Sequence, residues 1–329
     1  MNPFFAIIFA AVYGVLLRVV FGFLGDIMGI MGLSFLVLAP LVIGFLTIIL
    51  LPKKRVVSSG GAFFLPWVTT LVILIITMAF NIEGAICWIM LSPLFAIIAG
   101  VGGLIANRFR RKKVEITDKE NYDYWTKPDK LSVSCLLLLP MVLGTIEGER
   151  SLNRQDMIMT KTIEIAAPAQ AVWKALGNIN DIKKNERHAS FSVWMGFPSH
   201  IKTTLDTLAI GGKRIAYYDK GLYFNETITE YEPEKKMVLE IKTDPNKIPP
   251  TVMDEHILIG GKHVDILQDV YTLEQLPNGN CVLKLSSHFF INTPFNWYAG
   301  IWADYLMSDI LDAELELIQS RAVSFNTSH

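Results

Sequence analysis

Cysteine is scarce, with 3 among 329 residues. Cys87 and Cys135 fall inside apolar runs, and only Cys281 lies in the more polar second half. That half therefore has no internal disulfide, and its core must be held by packing. Charge is also sparse, at 19% of the chain, and it is unevenly divided. Residues 1–150 carry 13 Lys and Arg against 9 Asp and Glu, a net +4; the remainder carries 17 against 22, a net −5. A unit at −5 lacks the concentrated positive charge that nucleic-acid binding requires, so no nucleic-acid partner is expected. There is no Gly-x-Gly-x-x-Gly after a strand, no phosphate loop and no Gly-x-Ser-x-Gly elbow, and no cofactor is expected. Gly211-Gly212 and Gly260-Gly261 read as turns. His256, His263 and Asp265 come close to a metal set, but their spacing matches no ligand signature and no cysteine pair joins them, so no metal is expected.

Long hydrophobic runs are abundant, and 51% of residues are hydrophobic. About 20 apolar residues in a helix cross the hydrocarbon core. Four runs qualify: 4–24, 33–51, 63–80 and 85–106. A fifth, 131–146, has about 16 residues and either spans or lies as a re-entrant segment. Residues 1–147 are thus expected to form a membrane region of four or five transmembrane helices, with the lipid bilayer as partner. Lys53-Lys54-Arg55 follows the second run, and Arg108, Arg110, Arg111, Lys112 and Lys113 follow the fourth. Basic residues favour the cytoplasmic side, so both clusters and the N-terminus are placed there. If 131–146 spans, the C-terminal domain is non-cytoplasmic, the side taken here; otherwise it is cytoplasmic. The first run has no basic n-region and precedes further spans, unlike a cleaved signal peptide. Arg18 is expected to snorkel outward from the end of its helix. No chain of carboxylates or histidines within the runs suggests ion transport. Gly100, Gly102 and Gly103 would let helices approach closely.

After a linker at 148–157 the pattern changes. Residues 160–166 alternate as a strand, and Ala167-Pro168 opens a helix with Val172, Trp173 and Leu176 on its apolar face. A second short helix is expected over 179–185. Strand signals follow at 201–208, 214–219, 222–231, 237–243, 264–276 and 281–291, separated by Gly, Pro and Asn turns. That makes six or seven antiparallel strands. A long helix closes the chain, with Thr293 as N-cap and Pro294 as first residue. Tyr298, Trp302, Leu306, Ile310, Ala313 and Leu317 share one side of it.

This order of elements resembles the START-like superfamily, also called SRPBCC, in its polyketide cyclase/dehydrase and lipid-transport branch. The resemblance covers residues 158–324, leaving 325–329 as a tail. It is carried by the opening Ile163 to Trp173 (Ile-Glu-Ile-Ala-Ala-Pro-Ala-Gln-Ala-Val-Trp), the Glu230-Tyr-Glu-Pro233 turn and the Trp297–Arg321 helix. The membrane region lies outside the family pattern. The resemblance implies an α+β helix-grip domain, a curved antiparallel sheet around a long C-terminal helix, with a cavity for a lipid or other hydrophobic small molecule. It does not imply one chemistry.

Cavity candidates are Trp297, Tyr298, Trp302 and Tyr305 at the start of the last helix, and Tyr217, Tyr223, Asn225, Tyr271 and His288 on strands. Strand side chains alternate, so a one-residue slip reverses which of these face inward. An inward His288 or Asp265 could act as acid or base. The expected function is membrane-tethered binding of a hydrophobic small molecule or lipid, without catalysis. One alternative is a cyclase/dehydrase-type enzyme on a polyketide-like substrate. Another is a regulatory or scaffolding membrane protein with a collapsed cavity.

Overall fold

The computed structural model describes residues 3–24, 32–52, 57–119, 130–177, 179–186, 190–245 and 258–327. It divides into two compact units, Met1–Leu152 and Asn153–His329.

Among the described residues the first unit holds five α-helices: α1 (Pro3–Phe23), α2 (Ala39–Ile49), α3 (Ser59–Ala79), α4 (Ala85–Lys119) and α5 (Lys130–Glu147). Among the described residues, three helices are long and apolar enough to cross a membrane: Pro3–Phe23, Ser59–Ala79 and the Ala85–Arg111 part of α4. Two shorter apolar helices, Ser34–Ile49 and Cys135–Glu147, accompany them. Pro40 has no N–H to close an ordinary turn; just before it the helix widens, with Ala39 donating to the Ser34 carbonyl. Small residues let backbones meet. A Cβ on Gly44 would stand 1.8 Å from the Ala99 carbonyl oxygen, and one on Gly102 would stand 2.0 Å from that of Leu41. Hydroxyls add polar contacts between helices: Thr47 meets Thr69 at 3.0 Å, and the Trp88 indole donates to Thr77 at 2.8 Å.

Charged groups sit at helix ends. Arg18 does not reach outward on its own; its guanidinium pairs with Glu83 and both side chains are largely buried. A charge shielded from water is held best by an opposite one, and the loop between α3 and α4 supplies it. Arg110 donates to the carbonyls of Ile48, Leu51 and Pro52, closing the C-terminal end of α2. Glu147, the last residue of α5, accepts the N–H groups of Leu33 and Ser34 at 2.6 and 2.8 Å. These are orphan donors at the start of the second apolar segment, and a carboxylate is the natural partner for them.

The second unit is one seven-stranded antiparallel sheet in the order β1-β7-β6-β5-β4-β3-β2. The strands are β1 (Arg154–Ile165), β2 (His200–Leu205), β3 (Lys213–Tyr218), β4 (Tyr223–Glu232), β5 (Lys236–Lys242), β6 (Val264–Gln275) and β7 (Cys281–Asn292). Two short helices, α6 (Ala169–Gly177) and α7 (Phe191–Met195), lie between β1 and β2, and α8 (Asn296–Thr327) ends the chain. This is the helix-grip arrangement. β1 starts at Arg154 rather than near 160, because it pairs with β7 along its whole length. In place of a helix over 179–185 there is a single 3-10 turn at Lys184–Glu186. The helix that does form, α7, is capped by the Ser190 hydroxyl and ended by Gly196 at φ 108°.

The β7 pattern shows which face is covered. Cys281, Leu283, Leu285, Ser287, Phe289 and Ile291 are buried, and the residues between them are not. Register bulges in β2, β4 and β6 bend the sheet. At one end Val172, Trp173 and Leu176 of α6 pack with Met237, Leu283, Leu311, Leu315 and Ile318. At the other, Phe224, Ile241, Ile266 and Phe289 pack with Met307. Each such side chain contributes about 1.5–3 kcal/mol on burial. At the head of α8 the Thr293 hydroxyl accepts the Phe295 N–H while the Asn296 amide oxygen accepts the Thr293 N–H. This reciprocal cap starts the helix at Asn296, two residues past Pro294.

Candidate functional site

Between the two packed ends, the middle of the sheet carries charge instead of hydrocarbon. Arg214 on β3 stands opposite Glu226 on β4 in the ladder, and their side chains pair at 2.6 Å with almost no exposure. Arg214 also reaches Glu314 of α8 at 3.4 Å, as does the Tyr271 hydroxyl from β6. His200 on β2 completes the set, with Nδ1 3.1 Å from Glu314 and Nε2 2.8 Å from the Thr203 hydroxyl. Its ring stacks on Tyr218 with centroids 5.0 Å apart. One carboxylate from the gripped helix thus collects donors from three strands.

The surroundings set the protonation of each group. Burial raises the Glu314 carboxyl, but His200, Arg214 and the Tyr271 hydroxyl outweigh it and hold it down to about 2. Burial raises Glu226, and Arg214 offsets only part of that. Burial works against the Arg214 charge, yet Glu226 and the other facing groups more than reverse it, so the guanidinium stays charged. Burial also pushes the Tyr271 and Tyr218 hydroxyls up, keeping them neutral.

Asp269, facing Ser287 across the β6–β7 ladder, has its Oδ1 shut off from solvent, and burial pushes the carboxyl up to about 7. Between its ordinary value near 3.8 and about 7, the unfolded chain has lost a proton that the folded chain keeps. Stability from this group therefore falls as pH rises through that window. Asp269→Asn is expected to gain about 2 kcal/mol on the parent between pH 5 and pH 8, measured as the difference in thermal midpoints at the two pH values.

Beside this network lies a cavity of about 100 Å³. One water needs roughly 10–15 Å³ of such space, so it holds several waters or one small ring. Asp309, Ile310, Ala313, Glu314 and Leu317 form its helical wall, falling on one face of α8. Phe224, Tyr218, Leu222 and His200 line it from the sheet side, joined by Ile259 and Ile266, and the segment around α7 adds Ser190, Ser192, Val193 and Phe197. The Ser192 hydroxyl donates to Asp309. Three carboxylates reach the cavity: Glu186, Asp309 and Glu314. Glu186 is paired with Arg321 at 3.1 Å. Among the described lining residues there is no Lys or Arg.

The sequence candidates are distributed unevenly about this site. Tyr271 faces inward, is 1% exposed, and bonds Glu314. Tyr217, Tyr223, Asn225 and His288 take the other face of the sheet, because Ala216, Tyr218, Phe224, Glu226, Ser287 and Phe289 occupy the inward positions on either side of them. Tyr217 and Tyr223 pack against each other there, and His288 lies 3.3 Å from Asp156. Asp265 accepts the N–H of Ile266 and is not a lining residue. Trp297, Tyr298, Trp302 and Tyr305 lie on the first turns of α8, ahead of the stretch that lines the cavity, and Trp297 is 68% exposed. His256 lies outside the described residues. His263 sits with Nδ1 3.1 Å from the Asn292 carbonyl oxygen. Among the described residues no group of His, Cys, Asp and Glu is placed to hold a metal ion.

Hydroxyl, imidazole and carboxylate stand in series as Thr203, His200 and Glu314, the order of a nucleophilic relay. Thr203 is 0% exposed and lies outside the cavity lining, so its hydroxyl meets no substrate there; it fixes the imidazole instead.

No family model matches the chain, and no curated protein matches it. Solved structures do, over about half of it. A truncated norcoclaurine synthase from Thalictrum flavum is 13% identical, covering 51% of this chain and 93% of that one, with a TM-score of 0.33. The Zhui aromatase/cyclase from a Streptomyces species is 14% identical over 51% and 94%, TM-score 0.33. A START superfamily protein from Mycobacterium smegmatis is 10% identical over 51% and 98%, TM-score 0.34.

Proposed function

We propose that the second unit binds a small, mainly apolar molecule carrying one cationic or hydrogen-bond-donating end. The observation that carries this reading is the cavity wall. Ile310, Leu317, Phe224 and Leu222 offer an apolar seat, while the carboxylates of Asp309 and Glu314 offer acceptors and no Lys or Arg is among the described lining residues. A carboxylate or phosphate end would meet like charge, which is costly in a site shielded from water.

The first unit anchors this binding module to a bilayer. Five crossings with the N-terminus cytoplasmic fit its contacts. Arg110, at the end of the apolar part of α4, ties it to the C-terminal end of α2, and in the sequence basic residues follow both apolar runs, which marks that end as cytoplasmic by the charge rule. Glu147 ties the end of α5 to the opposite end of the α2 segment. At 18 residues, α5 reaches about 27 Å, close to the hydrocarbon thickness. The C-terminal unit then emerges on the non-cytoplasmic side.

Benzylamine and benzoate have one shape and opposite ends. Titrated into the full chain in lipid nanodiscs, benzylamine is expected to bind at least tenfold more tightly. Ala313→Trp, which fills the cavity from the helical wall, is expected to abolish that binding without lowering the thermal midpoint by more than a few degrees. Equal binding of the two compounds, or binding unaffected by Ala313→Trp, overturns the reading.

A further inference from the structure

Trp297, Ile301 and Tyr305 stand at i, i+4 and i+8 on α8, one above another on one face. They are 68%, 62% and 40% exposed, whereas their neighbours Leu306 and Met307 are buried. The stripe does not end at Tyr305. Its ring meets Phe191 of α7 edge-on at 6.1 Å, and Phe191 stacks on Trp194 at 5.3 Å and 18°. Phe191 and Trp194 are 43% and 72% exposed. Five large apolar side chains from two helices thus make one continuous outer surface, and Ser192 and Val193 of the same α7 line the cavity. Contiguous apolar surface of this kind marks an interaction site.

Two further observations identify its partner. The Asn296 side-chain amide donates to the Asn153 carbonyl, so the stripe begins beside the point where the chain enters the unit. That point is six residues past Glu147, the end of an apolar helix, and six or seven residues span at most about 25 Å. The composition fits as well. Trp and Tyr gather where hydrocarbon meets water, with the ring in the apolar layer and the N–H or O–H in the polar one.

We infer that Trp297, Ile301, Tyr305, Phe191 and Trp194 form a docking face that inserts into the interfacial layer of the bilayer anchoring the chain. The α7 wall of the cavity is thereby brought to lipid, from which an apolar ligand partitions. Attachment is apolar, not electrostatic, since residues 151–329 carry a net −5. It neither needs anionic lipid nor weakens with salt. The role given to the cavity rests on the ligand-binding reading; the docking face does not.

The test uses the full chain in phosphatidylcholine nanodiscs, with the three native cysteines replaced by alanine and single cysteines introduced. Trp194→Cys and Ile301→Cys are expected to react with a charged maleimide at least ten times more slowly than Lys284→Cys, which lies exposed on the outer sheet face. A bimane fluorophore at position 194 or 301 is expected to be quenched by lipids carrying a nitroxide near the headgroup, with quenching unchanged when anionic lipid is added. Rates equal to that of Lys284→Cys overturn the inference, because the face then meets water. Slow reaction without lipid quenching also overturns it, because protein then covers the face, from the chain's own helices or from a second copy. Quenching in discs that bind no benzylamine leaves the docking face standing and removes the ligand reading; the converse result does the opposite.

Discussion

Replacing Arg214 with Leu is expected to destabilise the second unit by about 3–5 kcal/mol, because it strands the Glu226 carboxylate in a site with almost no exposure. At about 2–4 °C per kcal/mol for a unit of this size, the thermal midpoint drops on the order of 10 °C. Glu314 loses its long contact to Arg214 but keeps His200. The double variant Arg214→Leu/Glu226→Leu removes both charges and is expected to recover most of the loss, as hydrophobic replacements of buried pairs often do. A double-mutant cycle measures this directly. If the single variant loses less than 1 kcal/mol, water reaches Glu226 and the pair is not the sealed element described here. Arg214 and Glu226 face each other in the β3–β4 ladder, and a one-residue slip of β3 would turn Arg214 to the outer face and leave Glu226 inward without its partner.

Gly44→Val and Gly102→Val together are expected to separate α2 from α4. Each new side chain would begin within about 2 Å of a backbone carbonyl oxygen on the facing helix, and backbone cannot rotate aside. Overpacking costs about 1–3 kcal/mol per site, so the pair should lose on the order of 3 kcal/mol or more. The expected observation is a first unit that aggregates on size exclusion in detergent at temperatures the parent survives. Gly60→Ala, where an added Cβ meets nothing within 4 Å, is expected to behave as the parent. Parent-like behaviour of the double valine variant would mean that the helices do not approach as closely as Gly44 and Gly102 indicate.

Much of the architecture is legible in the residues. The strands between 200 and 292 follow from alternation bounded by turn residues, and Gly102 was marked as a point of close helix approach by its small neighbours. The phase of β3 was not legible. Lys-Arg-Ile-Ala-Tyr-Tyr offers Ile215 and Tyr217 as one apolar face, and Arg214, Ala216 and Tyr218 as the other. Hydropathy favours the first; the fold takes the second, because Glu226 on the next strand neutralises Arg214. A signal did exist. Glu226 lies between Phe224 and Ile228, and Glu314 lies between Ile310 and Leu317, each in step with an apolar stripe. Opposite charges in the buried phase of adjacent elements point to an internal pair, and Arg214 is the match. The aromatics of α8 misled for a related reason. Their spacing marks a face without telling whether that face turns toward the sheet or away from it. Arg18 and Glu83, 65 residues apart, each read as a lone charge near a helix end until the bundle joined them.

The Glu147 carboxylate has a consequence for how the chain is made. The donors it holds, at Leu33 and Ser34, leave the ribosome more than a hundred residues before it does. Until the fifth helix arrives, the start of the second apolar segment carries open N–H groups and can be satisfied only by water or lipid headgroups. Closure of the helical unit therefore waits for the last helix of that unit to be made. A nascent chain halted before residue 147 would present an unlatched bundle to whatever machinery guides membrane insertion or removes incomplete products.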